Sequence, residues 1–180
     1  MPIRWDTSDR EFIVSCTELS NVLFRGRQLL ELLLFKVVEE QVLLAAGQAR
    51  WLPHATREVE AVLRELSAHE LDRAVTSAAT ARDLGLAPDA TLRELASVAP
   101  KPWDQIFGAH REELERLAHE IAAVADNNRE MLGRGEQATR EAIEFLGMPP
   151  EPSVETYSNR GTAMSASTRS GRATIVDREI

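Results

Sequence analysis

Apolar residues recur every three or four positions along most of the chain, which is the spacing of amphipathic helices. In the first stretch the repeat has an interval of seven, at Leu23, Leu30, Val37 and Leu44. Gly47 then supplies a helix stop. The pattern predicts a first helix over about residues 10–46. Because Leu33, Leu34 and Phe35 widen its apolar stripe, this helix is expected to contact more than one neighbour.

A second helix is predicted over about residues 53–84. Pro53 suits its first turn and Gly85 its end. Its apolar side is expected to carry Val59, Leu63, Leu66, Val75 and Ala78. The corner between the two helices is short, which favours an antiparallel hairpin. A short helix over about residues 91–98 is expected before the next long one.

The last helix, predicted over about residues 102–146, has the most regular pattern of the chain. Its seam alternates steps of three and four at Phe107, His110, Leu114, Leu117, Ile121, Val124, Asn128, Met131, Gly135, Ala138, Ala142 and Phe145. At a rise of 1.5 Å per residue it is about 65 Å long, whereas each arm of the hairpin is about 50 Å long. One end of the last helix should therefore project or pack on another chain.

The seam of the last helix changes character along its length. Residues 114–124 are rich in Leu, Ile and Val, whereas Met131, Gly135, Ala138 and Ala142 follow Asn128. Small residues with a methionine are typical of a shallow and adaptable groove. They are equally typical of a bundle end that another helix approaches closely. Both interpretations stay open on this evidence.

These patterns predict an all-α fold, in which an antiparallel hairpin and a long third helix form an elongated bundle or coiled coil. The helical domain is expected at residues 1–146 and a flexible, polar, low-complexity tail at 147–180. Tyr157, the only tyrosine of the chain, lies in that tail. It is there either by chance or as a contact for a partner.

Composition and charge indicate which partners and which compartment to expect. With 29 acidic and 21 basic residues the formal net charge is −8, so a nucleic-acid partner is not expected. The single cysteine, Cys16, fits a reducing cytoplasm, and the first residues contain no apolar run of signal-peptide length. Glu31 and Lys36 interrupt the most apolar stretch, so no membrane insertion is expected. We expect a cytoplasmic protein.

The sequence contains no recognisable constellation for chemistry. The four histidines are scattered, and no Glu-x-x-His pair offers a ligand set for zinc or a di-iron centre. Glu115 and His119, four residues apart, are better explained as a surface pair. Cys16 has no histidine and asparagine arranged to activate it. We expect no enzyme, no metal or cofactor site and no small-molecule substrate.

Four segments follow one another in a characteristic order. They are the opening helix and corner, LLELLLFKVVEEQVLLAAGQARWL (29–52), the second helix, ATREVEAVLRELSAHELDRA (55–74), the last helix, ADNNREMLGRGEQATREAIEFLG (125–147), and ETYSNRG (155–161). In this order they resemble the FlgN family of flagellar export chaperones. Asn128 and Leu132 match an Asn-x-x-x-Leu pattern of that family, and Tyr157 matches a Thr-Tyr-x-x-x-Gly element.

The resemblance implies a cytoplasmic chaperone without enzymatic activity. Its clients would be the two hook-associated junction proteins, whose amphipathic C-terminal helices it would shield from premature association and deliver to the type III export gate. Client contacts are expected on the last helix, at Asn128, Met131, Leu132, Ala138, Ala142, Ile143 and Leu146. Docking to the cytoplasmic domain of the gate is expected at Tyr157. The alternative is a self-associating coiled-coil scaffold that binds no client.

Overall fold

The computed structural model of the chain describes residues 7–146, and all regular elements within them are helical. The elements are α1 (Thr7–Ala45), a 3-10 turn (Ala49–Trp51), α2 (Leu52–Asp83), α3 (Leu92–Val98) and α4 (Trp103–Phe145). The predicted all-α fold with a long last helix is confirmed. The predicted tail, 147–180, lies outside the described residues, so the boundary at residue 147 stays a prediction.

The corner after α1 is built by local hydrogen bonds. Gly47 has a φ of 65°, a conformation that glycine adopts without strain. Its backbone N–H donates to the carbonyl oxygen of Leu44 at 3.0 Å, and that of Gln48 donates to Leu43 at 2.9 Å. This pair of bonds is a Schellman motif, which closes the helix and turns the chain. With Pro53 in its first turn, α2 then starts after a few residues.

α2 folds back antiparallel to α1. At one end of the hairpin the hydroxyl groups of Ser15 and Thr80 lie 3.0 Å apart. At the other end Lys36 Nζ donates to Glu58 Oε2 at 2.6 Å. Later residues of α1 therefore pair with earlier residues of α2, as the short corner requires.

α4 instead runs parallel to α1. Ser20 Oγ lies 3.1 Å from His110 Nε2, and Asn128 Nδ2 donates to the carbonyl oxygen of Val37 at 2.9 Å. The two contacts join residues 90 and 91 positions apart, so one constant offset relates the two helices. No Cα atom of α2 comes within 8 Å of one in α4. α1 is therefore the central helix of the bundle.

Two hydrophobic clusters hold these helices together. The first joins the beginnings of α1 and α4 to α3, and its fully buried side chains include Leu19, Leu95 and Phe107. A capping box between Thr91 and Glu94 starts α3 at this end of the molecule. The second cluster is centred on Leu33, Val37 and Val62, against which residues of α4 also pack.

Cys16 belongs to the first cluster and is fully buried. Burial, and secondly the negative charge of Asp83, raise the pKa of its thiol to about 12. At neutral pH the side chain is therefore a protonated thiol that packs as a small apolar group.

The inward face of α2 agrees with the expected one in part. Val59 and Leu66 pack against the second cluster, whereas Leu63 and Val75 are 46% and 64% exposed. The buried residues are Ala55, Val62, Ser77, Thr80 and Ala81. Small side chains at these positions allow α2 to approach α1 closely, and Thr80 hydrogen bonds to Ser15 there. The face of α2 that packs on α1 therefore includes small and polar residues, while the larger Leu63 and Val75 lie outside it.

α4 extends beyond α1. With the offset of 91 set by Asn128, the last residue of α1, Ala45, lies beside residue 136. The rest of α4 projects past it by about 14 Å. Phe145, near the end of this projection, is 90% exposed. The projection agrees with the difference in helix lengths expected from the sequence.

His110 gives the bundle a pH dependence. Burial, and secondly the positive charge of Arg27, lower its pKa from the usual 6.5. The folded chain therefore holds the neutral imidazole, whereas the unfolded chain takes up a proton near pH 6.5. Its contribution to stability is present above pH 6.5 and is lost as the pH falls below that value towards the native pKa.

We predict that His110→Gln makes the free energy of unfolding fall less between pH 7.5 and 5.5 than it does in the wild type. Urea titrations at several pH values measure this. His119→Gln is the control, because His119 is exposed and contacts only the carbonyl oxygen of Glu115. Identical pH slopes for all three proteins would contradict the assignment.

Candidate functional site

An open groove lies where α4 projects past the corner of the hairpin. It has a volume of about 780 Å³, within the usual range of ligand pockets. One wall is the face of α4 from Met131 to Glu144, and the other is the corner between α1 and α2. The lining residues are Leu43, Leu44, Gly47, Ala49, Leu52, Met131, Leu132, Gly135, Glu136, Thr139, Arg140, Ile143 and Glu144.

The α4 wall follows helical spacing. Leu132, Glu136, Thr139 and Ile143 succeed one another at steps of four, three and four, so they share one face. Leu132 is 42% exposed and Ile143 is half-buried. Because α1 ends beside this part of α4, Leu132 and Ile143 are partly covered by protein and partly exposed to water.

The corner supplies the other apolar wall. Leu43 and Leu44 end α1, and Leu52 starts α2. Between them lie Gly47 and Ala49, which have no side-chain atoms beyond Cβ to fill the groove. On α4, a Cβ atom added to Gly135 would meet nothing within 4 Å. Small residues on both walls leave room for another backbone to come close.

Charged side chains border the apolar floor. Glu136, Arg140 and Glu144 line the groove, and with Gln137 and Glu141 they continue onto the outer side of α4. The rim thus offers hydrogen-bond donors and acceptors beside an apolar surface. An amphipathic helix, with one apolar and one polar face, has the matching arrangement.

The structure brings together only part of the set predicted from the sequence. Met131, Leu132 and Ile143 line the groove. Ala138, Ala142 and Leu146 are exposed on α4 outside this lining. The expected seam runs through Ala138 and Ala142, whereas the face turned to the corner is about 100° further round the helix. Tyr157 lies outside the described residues.

Asn128 lies inside the contact of α1 with α4, where it is 3% exposed. Besides its bond to Val37, its Nδ2 lies 3.4 Å from Glu40 Oε2. Its Oδ1 is buried and has no hydrogen-bond partner. It stands one turn before Met131, so it fixes where α4 leaves α1. Its position indicates that it holds the groove in place and does not form its wall.

The corner residues of the groove were not predicted. Leu43, Leu44 and Leu52 were attributed to the helices in which they lie and not to a binding surface. The available signal was the corner sequence itself, LLAAGQARWL (43–52), in which leucines stand on both sides of a glycine stop. In a closed hairpin such residues need a covering neighbour, and within residues 7–146 that neighbour is α4.

Two further findings concern the residues that the structure describes. No group of three or more His, Cys, Asp or Glu side chains among them could hold a metal ion. None of their helices is both long and apolar enough to cross a membrane.

Comparison with protein families gives a match. The model of a family described as FlgN protein matches residues 15–165, which is most of the chain and includes both walls of the groove. No curated protein and no solved structure matches the chain.

We predict that Asn128→Leu raises the free energy of unfolding by about 1 kcal/mol, because it removes a buried oxygen that has no partner and fills similar space. Asn128→Asp should lower it by about 2–3 kcal/mol, because a buried carboxylate would face the carbonyl oxygen of Val37. Urea unfolding of the two variants measures both changes. Equal destabilisation by both would show that Oδ1 has a partner in solution.

Proposed function

The chain belongs to the FlgN family of flagellar export chaperones, and we propose that its groove binds the amphipathic C-terminal helices of the hook-associated junction proteins. The observation that carries the proposal is that Leu132 and Ile143 of α4 lie only partly covered opposite the leucines of the corner. The protein would act in the cytoplasm, hold its clients apart before assembly and deliver them to the export gate.

The groove has the size of a short helical segment. Leu132 and Ile143 are eleven residues apart, which corresponds to about 16 Å or three helical turns. A client helix of three to four turns could place apolar side chains at i, i+3, i+4 and i+7 along this face. Gly135 and Gly47 leave space for its backbone, and Met131 can adapt its shape to two different clients.

The expected affinity allows both capture and release. Burying about 400–600 Å² of apolar surface contributes about 10–15 kcal/mol, at about 25 cal/mol per Å². The loss of translational freedom and the ordering of side chains offset a large part of this. A dissociation constant in the micromolar to high nanomolar range follows. Such a complex protects the client but can still exchange it at the gate.

The groove would shield the apolar stripe of a client helix from self-association. Before the filament junction assembles, the apolar stripe of a client helix has no partner and would associate with other copies. A groove that covers the stripe removes this surface from water. The charged rim at Glu136, Arg140 and Glu144 leaves the polar face of the client hydrated.

We predict that Ile143→Glu weakens binding of both C-terminal client segments at least tenfold in calorimetric titration of the full chain. Its carboxylate would be buried without a partner, which costs more than about 1.4 kcal/mol. Phe145→Glu is the matched control. It makes a similar change two residues away, at a side chain that is 90% exposed and does not line the groove.

Two results would contradict the proposal. If neither client segment binds the folded wild-type chain, the client assignment fails and a self-associating scaffold becomes the better explanation. If both variants weaken binding equally, a client site exists but lies elsewhere.

We further propose that Tyr157 docks the chaperone to the cytoplasmic domain of the export gate. The residue lies outside the described part of the chain, within the matched region 15–165. An aromatic side chain is a frequent anchor at protein interfaces because it combines a large rigid surface with a polar group.

We predict that Tyr157→Ala weakens binding of the chaperone–client complex to the gate domain at least tenfold, while leaving client affinity unchanged. Surface plasmon resonance on the immobilised gate domain measures the first quantity and calorimetry the second. Tyr157→Phe, which retains the ring, should lose much less. Unchanged gate binding by the alanine variant would reject this role.

A further inference from the structure

The side of α1 opposite its buried residues carries exposed apolar side chains, with Gln28 and Glu31 between them. Phe24, Phe35 and Val42 follow one another at intervals of eleven and seven residues, so they stand on one line along the helix. They are 44%, 54% and 60% exposed. We call this surface, with Val38 and the neighbouring Trp51, the aromatic face. In the part of the chain that the structure describes, nothing covers it.

A groove of about 610 Å³ runs beside the aromatic face. Phe35, Val38 and Val42 form its α1 side, and Trp51 and Ala55 belong to the side of the corner and α2. It meets the proposed client groove at Leu43, which lines both. Otherwise the two grooves have different walls, and no residue of α4 lines this one.

The exposed area is large for a surface without a partner. Phe24, Phe35 and Trp51, which is 52% exposed, together leave about 300 Å² of aromatic surface in water. Val38 and Val42 add to this. A standard interface covers about 800 Å² on each partner, of which about 500 Å² is apolar. The aromatic face alone thus supplies most of the apolar area that a stable dimer needs.

The charges on the aromatic face are balanced. A cation lies over each ring: Arg27 over Phe24 at 5.0 Å, Lys36 over Phe35 at 5.2 Å and Arg50 over Trp51 at 5.2 Å. Three carboxylates stand among them. Glu31 lies 3.2 Å from Arg27, and Glu39 and Glu58 lie 2.7 and 2.6 Å from Lys36.

This balance identifies the kind of partner. The net charge of −8 is not concentrated on the aromatic face, so two copies can approach through it without strong repulsion. A strongly acidic or basic partner would find no excess charge to pair with. A surface whose cations and carboxylates are already paired within the chain can instead meet a second copy of itself about a two-fold axis without an excess of like charge.

We propose that the chain forms a homodimer through the aromatic face of α1. The α4 wall of the client groove lies outside the aromatic face, and the two grooves have Leu43 in common. The proposal does not depend on the identity of the client or on client binding. It assigns a role to the wide apolar stripe of α1, of which α2 and α4 cover only part.

Sedimentation equilibrium of the full chain at about 1–200 μM tests the proposal. The wild type should be dimeric at the upper end, and Phe35→Glu should raise the dimer dissociation constant at least thirtyfold. Leu71→Glu is the matched control, since Leu71 is 69% exposed on α2 and lines neither groove. It should leave the dimer intact. Phe35→Glu should also bind client segments with wild-type affinity, which separates this test from that of the client groove.

Circular dichroism shows whether each variant is folded. If Phe35→Glu loses helicity, Val42→Glu decides in its place. The proposal is overturned if the wild type is monomeric at about 200 μM, or if the glutamate on the aromatic face and Leu71→Glu dissociate the dimer equally. It is also overturned if Ile143→Glu breaks the dimer and the aromatic-face variant does not, because the copies would then pair through the α4 groove.

Discussion

The parallel pairing of α4 with α1 is the constraint on which the rest of the molecule depends. Two polar contacts, from His110 to Ser20 and from Asn128 to Val37, hold the helices at one offset. A buried polar residue in an otherwise apolar seam disfavours other registers, because a shift would leave its groups without partners. In this register α1 ends at Ala45, so the part of α4 beyond that level no longer packs against α1.

The groove follows from that register together with the geometry of the corner. Gly47 closes α1 and turns the chain, so that Leu43, Leu44 and Leu52 gather at one end of the hairpin. α4 passes this end on one side only. A leucine-rich corner and a projecting helix therefore face each other across a gap that neither can fill. This gap is the groove that we propose for an amphipathic client segment.

α1 also explains why the molecule has a second apolar surface. Its apolar side chains extend beyond the surface that α2, α3 and α4 cover in the described chain. The face that carries Phe24 and Phe35 is left over. α1 therefore borders two partly apolar surfaces, one beside α4 and one that carries Phe24 and Phe35. The proposed client binding and the proposed self-association would use different walls, with Leu43 in common.

Local sequence determined the helices themselves, because periodic apolar residues, Gly47, Pro53 and the Thr91–Glu94 capping box act over a few residues. It also indicated that α4 projects beyond the hairpin, and the family resemblance placed the expected client contacts on the last third of α4. Tertiary structure decided which side of each helix is used. Val62 is buried in place of Leu63, and Ile143 faces the corner whereas Ala142 does not. Adjacent faces of a helix are almost equally apolar in this sequence, so the choice rests on contacts between residues some ninety positions apart, such as Asn128 with Val37. Helical periodicity carries no information about such contacts.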